Sequence, residues 1–268
     1  MEKLLKGYSI LVILLGAILF VGLISLQATA QPNGATVTPG LTERASADAA
    51  GNASAYAGNL TELTITGFSI TQSWQAFYGN VSGAIELADS TSNVFYNWSQ
   101  VEPAGEIFAS TNSTVTWGSI QCFNFTARGN LTAGTGGESA GGTNQNGTNL
   151  SQLETRFNID SADVDGVNET FGFTINHDAF FVGSLQFSAG ECVATSTFDS
   201  TGASVDNNFE EVLLFEPATG SVVFAAILEQ GSLNGFDNAD HDFQMIVLED
   251  GHSGDVSATT YFFFLELD

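Results

Sequence analysis

The sequence predicts an all-β protein, a sandwich or jelly-roll-like stack of about a dozen strands, preceded by one N-terminal apolar helix. Two observations predict this fold. Apolar and polar residues alternate with period two over many short segments, and no segment beyond the N-terminus sustains the 3.6-residue period of an amphipathic helix. The chain has 268 residues, 43% of them hydrophobic, which is enough for one sizeable β domain or two small ones.

The alternation begins at Leu63. Leu63 and Ile65 would share one face of a strand, and Phe68 and Ile70 would share a face displaced by one residue at Gly67. A change of phase at a glycine is typical of a β-bulge, so a bulged strand is expected here.

Two further alternating segments lie on either side of the turn-forming residues 176–178. Their apolar positions are Phe171, Phe173 and Ile175, and then Phe181, Leu185 and Phe187.

The C-terminal third is more apolar and predicts four strands. Two of them lie around the turn Glu216–Gly220, and two more lie in residues 242–251 and 259–268. Residues 221–228 are apolar on both faces, which predicts a central strand of a sheet.

The N-terminal segment predicts export. Lys3 and Lys6 precede an apolar run of about 19 residues, and residues 28–30 form an A-x-A cleavage pattern. Residues 1–30 are therefore a cleaved signal peptide or an uncleaved membrane anchor. A third alternative follows from Lys6-Gly7, which is similar to the processing site of archaeal pilin-type precursors, in which the apolar helix is retained.

The remaining chain divides by composition. Residues 31–58 are rich in Ala, Gly, Ser, Thr and Pro and predict a linker or stalk. Residues 59–268 would form the β domain, with a flexible Gly/Thr/Asn-rich insert at 129–151.

The charge balance excludes some partners. Five Lys and Arg face 30 Asp and Glu; beyond residue 30 there are 3 Arg and 29 carboxylates, a formal charge of 3 − 29 = −26. Such a field repels nucleic-acid phosphates and anionic lipids, so membrane contact is expected only through an uncleaved N-terminal helix. It also repels itself, so a salt-rich exterior of the halophilic kind is expected to stabilise the fold.

N-glycosylation is predicted by ten Asn-x-Ser/Thr sequons, more than a random arrangement of this composition would give. All ten lie between residues 52 and 168, so the C-terminal third is either a bare contact face or the buried core. The acceptors are Asn52, Asn59, Asn80, Asn97, Asn112, Asn124, Asn130, Asn146, Asn149 and Asn168.

The two cysteines, Cys122 and Cys192, predict one disulfide in an exported protein. Strand alternation would place Cys122 on the same face as Asn124. If Asn124 carries a glycan, that face is exposed and the disulfide lies at the surface.

The segments "WQAFYGNVSGAIEL" (residues 74–87), "EPATGSVVFAAILE" (216–229) and "GFDNADHDFQMIVLED" (235–250) are similar to those of a family of archaeal exported proteins. That family is acidic, sequon-rich and β-predicted. The resemblance covers residues 60–268 and implies a cell-surface location, but it assigns no site residues.

Two acidic clusters are candidates for calcium, a hard cation that takes about 6–8 oxygen ligands. The first does not follow the EF-hand pattern, because Ser161 and Gly172 stand where that loop needs acidic ligands, and the second is a loop of similar composition. No cofactor other than calcium is expected. The clusters are Asp160, Asp163 and Asp165, and Asp237, Asp240 and Asp242 with Asn238.

No catalytic motif is present in the sequence. His177, His241 and His252 lack the spacing of metal ligands and are expected in loops. Glu210 and Glu211 are adjacent, so they would face opposite sides of a strand and could not act as a glycosidase pair. The three Trp, at positions 74, 98 and 117, are expected in the core rather than as sugar-stacking residues.

These observations favour a structural glycoprotein of the cell surface or an extracellular filament, not an enzyme. It would carry covalent N-glycans and associate with itself or with envelope components. The alternative is a surface adhesion module that binds carbohydrate, with calcium. A secreted hydrolase is the third hypothesis, and Asp240→Asn or His241→Ala would abolish its turnover.

Overall fold

The computed structural model describes residues 31–99, 102–123, 150–172, 175–231 and 233–268. The predicted N-terminal helix and residues 129–149 of the predicted insert lie outside these ranges. Within the described residues no helix has the length and apolar character needed to cross a bilayer.

The described residues are mostly β, which confirms the predicted fold class. Two short helices, α1 (Leu150–Arg156) and α2 (Val167–Thr170), and two single 3-10 turns interrupt the strands. The strands are β1 (Asn33–Gly34), β2 (Trp74–Gly79), β3 (Ala84–Ala88), β4 (Val94–Ser99), β5 (Gly105–Ser110), β6 (Gln121–Cys122), β7 (Phe180–Val182), β8 (Leu185–Phe187), β9 (Ala194–Ser196), β10 (Glu210–Glu216), β11 (Ser221–Ile227), β12 (Phe243–Leu248) and β13 (Phe262–Leu267).

A seven-stranded antiparallel sheet forms the centre of the fold. Its order is β1-β13-β5-β11-β10-β6, and β9 also pairs with β10 beside β6. Three two-stranded sheets accompany it: β2 with β12, β3 with β4, and β7 with β8.

The two central strands, β10 and β11, form a hairpin that is buried except at Ile227. Both are apolar in sequence on both faces, so they can be covered on both sides. The Glu216 carboxylate accepts the backbone N–H of Ala218 at 2.8 Å and of Thr219 at 3.0 Å, and Gly220 has a φ of 71° that favours glycine. The predicted turn and the predicted central strand at 221–228 are both confirmed.

The core lies on both faces of the central sheet. On one face, Leu213, Phe224 and Ala226 pack against Met245 and Val247 of β12 and against α1 and α2. On the other face, side chains such as Val212 and Val223 pack against Phe180 and Phe187 of the β7–β8 hairpin. We call these the β12-side core and the hairpin-side core.

Two expectations for strands were wrong. Residues 60–71 contain neither helix nor strand, because period-two alternation alone does not supply a partner strand. Phe181, Leu185 and Phe187 do not share one strand: a two-residue turn with Gly183 at φ 62° separates β7 from β8. Strands of three residues are too short for the period-two pattern to distinguish two strands from one.

Candidate functional site

The described sequon asparagines are mostly accessible. Asn52, Asn59, Asn80, Asn97 and Asn168 are exposed. An acceptor must reach solvent to carry a glycan, so these five positions meet the steric requirement.

Asn112 differs from these five because it is half-buried and its side chain forms hydrogen bonds. Its Nδ2 donates to the Thr219 hydroxyl at 3.0 Å, and its Oδ1 accepts the Thr114 N–H at 2.9 Å. A glycan on Nδ2 would compete with the bond to Thr219. The remaining sequons, Asn124, Asn130, Asn146 and Asn149, lie outside the described residues.

The β3–β4 hairpin carries an exposed apolar face. The register places Ile85 opposite Trp98 and Leu87 opposite Tyr96, and the Tyr96 and Trp98 rings lie 4.8 Å apart between centroids. All four side chains are exposed, by 39% to 57%. We call them the aromatic stripe. An isolated two-stranded hairpin is at best marginally stable in water, so this stripe is a surface that a contact would stabilise.

Asn97 lies on the other face of the same strand, because it alternates with Tyr96 and Trp98. A glycan on Asn97 would therefore project away from the aromatic stripe. Trp98 was expected in the core and is 51% exposed, whereas Trp117 is buried and Trp74 is partly buried.

The disulfide between Cys122 and Cys192 is confirmed, with Cα atoms 5.0 Å apart. Both cysteines are fully buried in the hairpin-side core, not at the surface where a glycan on Asn124 would have placed them. β6 pairs with β10, and this interior pairing turns Cys122 into the core.

A row of buried carboxyl groups, which the sequence did not predict, lies at one end of the central sheet. Glu106 of β5 is directly opposite Glu266 of β13, and Glu210 begins β10. Each is at most 6% exposed. We call these three residues the carboxyl row. The sequence feature that could have indicated this row is a Glu at the end of a strand that is otherwise apolar.

Backbone N–H groups of one covering segment bind all three carboxyl groups. Asp178 donates to Glu210 at 2.7 Å, Phe181 to Glu106 at 3.1 Å, and Gly183 to both Glu266 oxygens at 2.8 and 2.9 Å. The carboxyl row therefore fastens residues 178–183 onto the sheet.

Burial raises the pKa of each group in the carboxyl row, and that of Glu106 rises to about 8, with Glu266 and Asp268 as additional negative neighbours. Glu229 has its pKa raised to about 7, mainly by burial and further by Glu210 and Asp178. These groups are held by backbone amides and covered by chain, which is the arrangement of structural anchors.

Glu211 is separate from this row, as the adjacent-residue argument predicted. It is fully buried on the β12 side, where its Oε2 accepts the Ile246 N–H at 2.7 Å, and burial raises its pKa well above the ordinary value. Its other oxygen, Oε1, is buried and has no hydrogen-bond partner among the described residues.

The carboxylates of the first calcium candidate bind different neighbours. Asp160 accepts the Ala162 N–H at 3.0 Å, and Asp163 accepts the Asp160 N–H at 2.8 Å. Asp165 accepts the Thr71 hydroxyl at 2.5 Å. The first two bonds stabilise a turn, and the third joins Asp165 to a residue 94 positions away in sequence.

The carboxylates of the second calcium candidate also bind different neighbours. Asp237 accepts the Ala239 N–H at 3.0 Å and lies 3.0 Å from His241 Nε2, while Asp242 accepts the Val81 N–H at 2.6 Å. The first of these bonds is the main cause of the lowered pKa of Asp237. Across the part of the chain that the structure describes, no three His, Cys, Asp or Glu are placed to hold a metal ion. The calcium sites stay predictions.

The three histidines lie outside the long helices and strands, but His177 is fully buried. Its Nδ1 lies 2.7 Å from the Asp178 carbonyl oxygen, and its Nε2 accepts the Cys192 N–H at 2.9 Å. Burial lowers its pKa, which fits a neutral imidazole that joins the covering segment to the disulfide. His252 Nε2 lies 3.6 Å from Asp163 Oδ2.

No family model matches the chain, and neither a curated protein nor a solved structure matches it. Function is therefore inferred from the chain's own surfaces and composition.

Proposed function

We propose that the protein is a non-catalytic structural glycoprotein, exported to the cell surface or into an extracellular filament. One observation carries the proposal: of the 21 exposed large hydrophobic side chains in the described residues, 14 lie in residues 31–99. The same region contains four exposed sequon asparagines. Within this region the aromatic stripe is an apolar patch whose members lie side by side, and exposed apolar patches mark sites of protein contact.

The aromatic stripe supports the proposal. The Asn97 side of the hairpin would be covered by sugar, and the opposite side would stay free for a neighbouring molecule. A neutral glycan also shields an open sheet edge without adding to the repulsion between acidic subunits.

The C-terminal strands support the same division of roles. β10 and β11, which carry no sequon, are the buried centre of the sheet, so the absence of sequons there follows from burial. The contact surface is then in the N-terminal half, and the C-terminal third supplies the scaffold.

The test is electron microscopy of the native protein, purified from its own envelope in molar salt. We expect regular filaments or a lattice, and dispersed single particles would refute the proposal. Tyr96→Ser with Trp98→Ser should disperse the assembly while leaving the melting temperature within a few degrees. Val256→Ser, at a side chain that is 96% exposed outside this region, is the matched control and should leave assembly intact.

A carbohydrate-binding adhesion module is the second candidate, and the exposed Tyr96–Trp98 pair favours it, because aromatic faces stack on sugar rings. Saturable binding to a glycan array that Trp98→Ala abolishes would support this function. If a chelator abolishes the binding, the binding depends on calcium. If the protein binds no glycan on the array, this candidate function is refuted.

A further inference from the structure

The first described residues pair with β13 at the edge of the central sheet. Pro32 is buried, and Ala35 is partly buried. Asn33 and Gly34 pair with Leu265 and Phe264 of β13, and the Ala35 N–H donates to the Phe263 carbonyl at 3.0 Å. We call residues 31–35 the arm.

The arm is connected to the rest of the fold by a long, uncovered tether. Residues 36–69 are all exposed and form neither helix nor strand. Seven of their large hydrophobic side chains are among the exposed ones, including Leu60 at 101%, Ile65 at 85% and Leu41 at 82%. The linker types that act only as spacers are rich in Gly and Ser, in Pro, or in charged residues rather than in large hydrophobic side chains.

The tether is longer than a connection within one molecule requires. Its 34 residues can span ~110–120 Å when extended. A folded domain of the size of residues 74–268 has a radius of gyration of only ~16 Å. The arm can therefore reach the equivalent β13 edge of an adjacent copy.

Exchange between copies preserves every contact that the arm makes. The same residues would meet the same β13 edge, so the pairing itself does not favour one arrangement. The tether decides between them, because a tether that runs between two copies can bury its apolar side chains against both. On the surface of a single copy these side chains remain in water.

We propose that the arm of one copy pairs with β13 of a second copy, so that the protein assembles by strand exchange. The partner is another molecule of the same chain, and this inference depends on the proposed structural function. Repeated in one direction, the exchange gives a linear filament, because each copy both donates an arm and accepts one.

The test traps the pairing with a disulfide. Asn33→Cys with Leu265→Cys places two thiols at register partners, whose Cα atoms are ~5.5 Å apart or less in an antiparallel pair, within the range for a disulfide. The native disulfide is fully buried and should not exchange. The envelope fraction is oxidised with copper phenanthroline before any dilution and separated without reductant.

We expect a ladder of covalent oligomers, or a covalent dimer if two copies exchange arms reciprocally. A bridged species found only at the mass of the monomer would overturn the exchange. The control pair Phe181→Cys with Gln186→Cys, exposed register partners in the β7–β8 hairpin, should bridge within the monomer.

A second measurement covers the case in which the double variant misfolds. The single variants Asn33→Cys and Leu265→Cys are co-assembled and oxidised, and their disulfide peptides are identified by mass spectrometry. A peptide that joins residue 33 to residue 265 requires two molecules and supports the exchange; its absence overturns it. Filaments by microscopy with only intramolecular bridges would refute the exchange alone, whereas dispersed particles would refute the proposed function.

Discussion

Glu106→Gln should make the protein less sensitive to alkaline pH. Glu106 is 2% exposed and its Oε1 accepts the Phe181 N–H. Its Oε2 is buried and has no hydrogen-bond partner in the part of the chain that the structure describes. Glutamine preserves the shape and the acceptor for Phe181 but cannot ionise, so the substitution isolates the cost of ionisation.

The magnitude follows from the pKa of Glu106, which burial raises from 4.5 to about 8. The folded state therefore holds this proton more tightly than the unfolded state. The resulting stabilisation is complete below pH 4.5 and is lost as the pH rises through 8. At about 1.4 kcal/mol per pKa unit, wild type loses ~3 kcal/mol from this group between pH 4 and 7 and ~4–5 kcal/mol by pH 9.

The assay is denaturant unfolding at pH 4, 7 and 9 in constant molar salt, with the free energy of unfolding compared between wild type and variant. The difference should move in favour of the variant by ~3 kcal/mol from pH 4 to 7 and further by pH 9. Glu86→Gln, at an exposed position of β3, removes one charge without burial and should change the pH profile little. A difference between wild type and Glu106→Gln that is the same at all three pH values would refute the reasoning.

Three further outcomes are expected. The melting temperature should rise steeply from low to molar salt, because 30 carboxylates face five basic residues; a flat response would contradict the inference of charge repulsion. Replacing both Cys122 and Cys192 by Ala opens a link across 70 residues and should cost ~4 kcal/mol in denaturant unfolding; an unchanged midpoint would show that the link adds no stability. Phe224→Ala in β11 should cost ~3–5 kcal/mol, whereas Phe95→Ala, at a side chain that is 85% exposed, should stay within ~0.5 kcal/mol; equal losses would contradict the assigned core.

The strands that the sequence predicted well are those in which local pattern and burial agree. β10 and β11 are apolar on both faces and are joined by a turn with its own chemistry, so composition alone indicates a central hairpin. β12 and β13 follow for the same reason. The disulfide also follows, because the chain has only two cysteines to pair.

The strand expected at residues 63–70 shows the limit of this reasoning. Alternation indicates that a segment can pair, but pairing also needs an accessible sheet edge, which is a property of the whole fold. β1 shows the converse: two residues of the segment predicted to be a linker pair with the edge of β13.

The candidate site divides in the same way. The sequons and the acidic charge can be read from residue types, because each depends on a local motif or on a sum over the chain. The carboxyl row could not be read, because Glu106, Glu210 and Glu266 are at least 56 positions apart in sequence (266 − 210 = 56), and only the sheet register brings them under one covering segment.

The sequence by itself determined the β class, the central strands, the disulfide pairing and the chemistry of the surface, since these depend on composition and local periodicity. The tertiary structure alone decided which apolar residues are left in water. Cys122 and Trp98 both lie in alternating, aromatic-rich segments, yet Cys122 is buried against β10 and Trp98 is exposed on a hairpin that the central sheet does not cover. Burial is set by which surfaces meet in three dimensions, and the residues left uncovered here are the ones on which the proposed assembly depends.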